Sequence, residues 1–190
     1  ILLLTELTLR DRSRPDKSDK LPERVREISG TARQVMKSLD ETVWAIDPRN
    51  DTLPDLIIYL SQFAVSFLQN ADISCHVDVP DRPASRTVTA DVRHELFLAT
   101  KEALHNIVRH ARATEVTLRI VTDDTGLVIT IVDNGRGFAG SSDAAGADGL
   151  RNMRLRMREL GGDFSVQSVP GTGTTISLSC PWQRPVAVRT

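Results

Sequence analysis

From Leu21 the apolar positions fall at Leu21, Val25, Ile28, Ala32, Val35, Leu39, Thr42 and Ile46, in alternating steps of four and three, with Thr42 the one polar member. This is a heptad seam, the mark of a helix packed in a coiled coil or bundle. Upstream, Leu3, Leu4, Leu7 and Leu9 suit the end of another helix, which gives way to a polar loop over residues 11–20. Two helices joined by a short loop make a hairpin that cannot bury its seam alone. A homodimeric four-helix bundle is the economical expectation, although a long helix lying on its own domain would show the same spacing.

Pro48 ends the seam helix, because it removes a donor and biases Asp47 away from helical dihedrals. Thr52, with Asp55 three residues on, is a candidate N-cap for a helix whose stripe is Leu53, Leu56, Ile57, Leu60, Ala64, Phe67 and Leu68. Residues 47–52 are therefore a hinge candidate. Alternation and β-branched runs then predict strands at 74–79, 114–122, 127–132, 164–169 and 174–180, with helices at 91–112 and 149–160. The fold class expected is an α/β two-layer sandwich with a mostly antiparallel sheet, preceded by a partial helical hairpin. The domain boundary falls between residues 1–48 and 49–190. Residues 139–148 are small and polar enough for a mobile lid.

The sequence has 190 residues, 40% hydrophobic and 26% charged, with a net charge of -1. That balance offers no electrostatic basis for binding nucleic acid or an anionic membrane. Cys75 and Cys180 lack metal-ligand spacing and suit small buried hydrophobes in a reducing compartment. No apolar run reaches the roughly 18 residues of a membrane span, so a cytoplasmic placement is expected, with any anchor of a longer protein lying elsewhere. The chain starts without Met and in mid-pattern, which suggests a fragment.

The chemistry is concentrated after residue 91. In the run Lys101-Glu102-Ala103-Leu104-His105-Asn106-Ile107-Val108-Arg109-His110-Ala111, Glu102, Asn106 and His110 are spaced as one polar stripe of a helix. A carboxylate and an amide oxygen one turn apart can hold a hard cation or its waters, and Arg109 can neutralise phosphate charge. A solvated helix face would have the same spacing. Asp133-Asn134-Gly135-Arg136-Gly137-Phe138 follows a β-run. A carboxylate held there can accept from an exocyclic amine, and the glycines let backbone pass close to a flat ring. A hairpin turn would explain Asp-Asn-Gly, but neither the second Gly nor the Phe. Asp148-Gly149-Leu150 opens a helix whose free N–H groups suit a triphosphate. Gly171-Thr172-Gly173-Thr174 is either a plain hairpin turn or a turn that also offers a hydroxyl to the base.

In this order the elements over residues 91–182 resemble the N, G1, G2 and G3 boxes of the GHKL ATPases, the superfamily of gyrase, Hsp90, MutL and histidine kinases. Glu102-Ala103-Leu104, Asn106, Arg109-His110-Ala111, the run Gly149-Leu150-Arg151-Asn152-Met153-Arg154 with Arg156, and Leu160-Gly161-Gly162 are similar to the histidine kinase branch related to nitrate and nitrite sensors. So is Val43-Trp44-Ala45-Ile46-Asp47-Pro48. The resemblance implies Mg²⁺ binding at Asn106, an orienting or activating role for Glu102, and phosphate contacts from Arg109 and His110. It also implies adenine recognition by Asp133, with Gly135 and Gly137 along the base, Gly149 at the lid end, and Gly173 and Thr174 closing the pocket. One departure is that Gly146 stands one place early for the usual Gly-x-Gly-Leu, leaving Ala147-Asp148-Gly149-Leu150.

The function expected is the ATP-binding region of a two-component sensor histidine kinase. It would use ATP and Mg²⁺ to phosphorylate a bundle histidine and then a response regulator, and it would work as a homodimer. The resemblance sets the acceptor His about two to three helical turns upstream of Ile1, so the fragment alone is not expected to phosphorylate itself. The alternatives are another GHKL ATPase, an anti-sigma-type serine kinase, or a non-catalytic nucleotide-binding dimer module.

Overall fold

A computed structural model describes residues 25, 28–32, 43–44, 47–139 and 147–182. The chain divides into two compact units, Ile1–Asp47 and Pro48–Thr190. In the first unit, Val25, Ile28, Ala32, Val43 and Trp44 are helical, as the seam predicts. Leu21, Val35, Leu39, Thr42 and Ile46 lie outside the described residues, as do the first helix, the loop over 11–20 and residues 140–146 of the expected lid.

The second unit opens with a 3₁₀ turn at Pro48–Asn50 and then helix α1, Leu53–Gln69. Thr52 is extended and its side chain accepts from the Asp55 N–H, so this cap is the expected one. Leu53, Leu56, Ile57, Leu60, Ala64 and Leu68 form the buried stripe of α1, while Phe67 is only half-buried. Strand β1 (Ser74–Asp78), helix α2 (Ala90–Asn106), strands β2 (Glu115–Thr122) and β3 (Gly126–Asp133), helix α3 (Ala147–Glu159) and strands β4 (Asp163–Val169) and β5 (Gly173–Pro181) complete the unit. The order of elements matches the sequence pattern.

The sheet order is β1-β2-β3-β5-β4, with β1 parallel to β2 and the other pairs antiparallel. One face carries the core. Val116, Leu118 and Ile120 of β2, Leu127, Ile129 and Ile131 of β3, and Ile176 and Leu178 of β5 are buried against Leu96, Ala99, Ala103, Met153 and Met157 of the helices. The strict alternation in β2 and β3 reflects one covered face and one open face. Truncating Leu118 or Ile129 to Ala would cost about 2–5 kcal/mol. Among the described residues, no helix is long and apolar enough to cross a membrane.

Helix α2 departs from the simple expectation of one helix over 91–112. Its α-helical register stops at Asn106, and Ile107–Ala111 form a π-helical turn that ends on Arg112 in the left-handed region, φ 54°. Two contacts fix the helices of this layer. Arg93, nearly fully buried, donates from Nη1 to the Val88 carbonyl at 2.6 Å, and Arg156 of α3 reaches Glu95 of α2 at 2.5 Å.

Candidate functional site

Asp133 is the last residue of β3 and shares the inward phase of Leu127, Ile129 and Ile131. It is only 4% exposed, so a carboxylate occupies a core-facing position at the strand end. Gly135 donates its N–H to Asp133 Oδ1 at 2.8 Å, and the Thr174 N–H and hydroxyl also serve the carboxylate. Thr174 stands directly across the ladder from Asp133. Burial pushes the Asp133 carboxyl above its ordinary value of 3.8, and those hydrogen bonds oppose the rise. Cost of burial and partial satisfaction together describe an acceptor kept for a donor from outside the strand.

Neighbouring loops are pinned around this carboxylate. Asn134 Oδ1 accepts from the N–H groups of Thr114 and Glu115, each at 3.0 Å, and Arg136 N–H donates to the Ala111 carbonyl at 2.8 Å. The Gly171 N–H in turn reaches the Arg136 carbonyl at 2.7 Å. The end of the π turn, the loop after β3 and the β4–β5 turn therefore converge. A methyl group at Gly135 would strike Ala111, and one at Gly137 would strike the Val169 carbonyl. Gly173, at φ +117°, would drive a methyl group into the Asp133 carbonyl. These glycines are required by the protein's own backbone, which adds to the reason expected from the sequence, close passage of a ring.

Glu102 belongs to a second part of the site, a cleft of 310 Å³ between α2 and α3. It is lined by Lys101, Glu102, His105 and Arg109 from one side and Asn152 and Arg156 from the other. Gly149 closes in on the same helix: a methyl there would meet Glu102 Oε1 and lie 3.3 Å from Asn106 Nδ2. Glu102, Asn106 and the first turn of α3 are thus neighbours.

The π turn falls within the expected stripe of Glu102, Asn106 and His110. An i→i+5 turn shifts the phase of the residues beyond it, and the cleft is lined by Glu102, His105 and Arg109, while neither Asn106 nor His110 lines it. Sequence reasoning singled out neither Lys101 nor His105. Their spacing, with Leu98, Glu102 and Arg109, was a signal for a shared face. His105 also packs on Phe67 of α1, ring centroids 4.7 Å apart. Among the described residues, no group of three or more His, Cys, Asp or Glu side chains is arranged to hold a metal. The Glu102 carboxylate and the Asn106 amide nevertheless lie beside the same point at Gly149, and a carboxylate with an amide that can present its oxygen suits a Mg²⁺ ion that takes its other ligands from water and phosphates.

Residues 91–184 match the family model described as histidine kinase-, DNA gyrase B-, and HSP90-like ATPase. They are an ATPase domain of that family. ATP binding comes with this membership. The ATPase domain is homologous to sensor kinases. The chain is 37% identical over 94 residues to Sensor protein VraS of Staphylococcus aureus, covering 50% of this chain and 27% of that protein. Sensor histidine kinase LiaS of Bacillus subtilis is 29% identical over 166 residues, 87% of this chain and 45% of LiaS. The chain thus spans less than half the length of either relative. In fold it resembles the histidine kinase domain of the Erythrobacter litoralis EL346 blue-light activated histidine kinase, with a TM-score of 0.57 and 23% identity over 94% of this chain and 90% of that one. It also resembles the Acinetobacter baumannii histidine kinase AdeS, with a TM-score of 0.57 and 13% identity over 96% and 95% of the two chains.

Proposed function

We propose that the chain is the ATP-binding catalytic region of a two-component sensor histidine kinase, of the branch related to nitrate and nitrite sensors. The observation that carries this reading is the buried Asp133 carboxylate at the end of β3, flanked by Gly135 and Thr174, inside a domain of the ATPase family. Asp133 accepts from the adenine amine, and Gly135, Gly137, Gly173 and Thr174 keep the backbone close around the base. Asn106 holds Mg²⁺, Glu102 orients the transfer site, and Arg109, His110 and the N–H groups at Gly149 serve the phosphates. Magnesium supplies charge neutralisation between the phosphates. The branch assignment is supported by the run from Gly149 to Arg154 and by Leu160-Gly161-Gly162.

Residues 1–48 act as part of a dimerising bundle and residues 49–190 as the catalytic domain, in a cytoplasmic setting. An imidazole nitrogen of a bundle histidine attacks the γ-phosphorus, the bond to the bridging oxygen breaks, and ADP leaves. A response regulator receives the phosphoryl group next. The chain's own histidines are poorly placed as acceptors: His76 is on β1, His94 and His105 are on α2, and His110 is in the π turn. Incubation with γ-labelled ATP is the test. The expected result is no label on the chain alone, and acid-labile, alkali-stable label on a separately supplied acceptor bundle. Acid-stable label would favour the serine kinase reading instead.

A further inference from the structure

Ser168 belongs to none of the motifs, yet it joins three of the segments that meet at Asp133. Its register partner is Thr174, and Thr174 pairs in turn with Asp133, so the three residues stand level on the adjacent strands β4, β5 and β3. Ser168 Oγ accepts from the Phe138 N–H at 2.9 Å. It lies 2.9 Å from Thr174 Oγ1 and 3.2 Å from the Gly173 carbonyl.

A hydroxyl has one proton to donate, so these contacts admit two arrangements. If Ser168 donates to Gly173, Thr174 can donate back to Ser168 and its proton turns away from Asp133. If Ser168 donates to Thr174 Oγ1, the Thr174 proton goes to the carboxylate. A hydrogen bond to an ionised acceptor is roughly twice as strong as a neutral one, which favours the second arrangement. Every bond then points the same way, from Phe138 N–H through Ser168 and Thr174 to Asp133, and each polarises the next.

We propose that Ser168 is a positioning residue for base recognition, directing the Thr174 hydroxyl onto Asp133 and so keeping that carboxylate an acceptor for an exocyclic amine. This rests on the reading of Asp133 as the adenine acceptor. Its role is selective, because guanine presents a carbonyl where adenine presents the amine. A residue needed only for the fold would affect both nucleotides alike.

The test is calorimetric titration of ATP and GTP into the full chain and its Ser168→Ala, Ser168→Thr and Asp133→Asn variants. Ser168→Ala should weaken ATP binding about 2- to 10-fold, the worth of one neutral hydrogen bond, leave GTP binding unchanged, and so narrow the preference for ATP. Ser168→Thr, which keeps the hydroxyl, should restore it. If Ser168→Ala binds ATP like the unaltered chain, or loses both nucleotides by the same factor, while Asp133→Asn loses ATP selectively, the role given to Ser168 is overturned. If Asp133→Asn itself binds ATP normally, the adenine reading fails and the role of Ser168 falls with it.

Discussion

The Thr174 hydroxyl and the Asp133 carboxylate meet across the β3–β5 ladder at a position that alternation assigns to the core. Burial raises the Asp133 pKa, so just above the ordinary value of 3.8 the folded state holds a proton that the unfolded state has released. The stability contributed by Asp133 is therefore greatest below 3.8 and is lost as pH rises through its raised value. Affinity for ATP should run the opposite way, because only the ionised carboxyl is a pure acceptor. Taking the chain from neutral pH down through this window should weaken ATP binding while its melting temperature gains on that of Asp133→Asn. Thermal melts and titrations at matched pH check both trends. Parallel trends would contradict the assignment.

Gly173 and Gly149 should respond differently to the same change. Gly173→Ala puts a methyl group against the Asp133 carbonyl at φ +117°, where neither backbone segment can move aside. A loss of roughly 1–3 kcal/mol and a lower melting temperature are expected. Gly149→Ala meets only the ends of the Glu102 and Asn106 side chains, which can swing away, and alanine favours a helix by about 1 kcal/mol over glycine. The Gly149 variant should melt no lower than the unaltered chain yet transfer phosphate poorly to a supplied bundle. Equal destabilisation of the two variants would show that Gly149 is a packing residue.

Much of this was legible because one-sided burial leaves a period of two in a strand. Leu127, Ile129 and Ile131 predict β3, and continuing the same phase by one step puts Asp133 on the inner face. That is the signal that a turn residue lacks. The π turn was not legible, since over a single turn the residue pattern of Ile107–Ala111 fits either register. Ser168 was hidden for another reason. In the run Asp163–Val169 it is an ordinary strand hydroxyl, and only the pairing of β4 with β5 brings it to Thr174. Lys101 and His105 were in the run already singled out, but a helix face gains meaning only when α3 closes over it.

Asn106 sits at the last α-helical position, next to the first turn of α3. Asn106→Ala should leave the melting temperature within about 0.5 kcal/mol equivalent, as for most half-exposed polar changes. It should also remove most of the Mg²⁺ dependence of ATP binding. Titrations with and without magnesium check this. An unaltered magnesium effect would reduce Glu102 and Asn106 to a solvated helix face.

Val35 occupies the middle of the heptad seam. If residues 1–48 dimerise, Val35→Asp buries an unpaired charge in that seam and should convert dimer to monomer. Sedimentation equilibrium reads this directly, and a mass insensitive to the change would count against the bundle.

The most direct test of the central claim is calorimetry of ATP and GTP binding, with magnesium, to the unaltered chain and to Asp133→Asn. The unaltered chain should bind ATP well ahead of GTP, and Asp133→Asn should lose on the order of 1–3 kcal/mol for ATP alone. Equal affinity of the unaltered chain for the two nucleotides, or an Asp133→Asn variant that binds ATP as before, would contradict it.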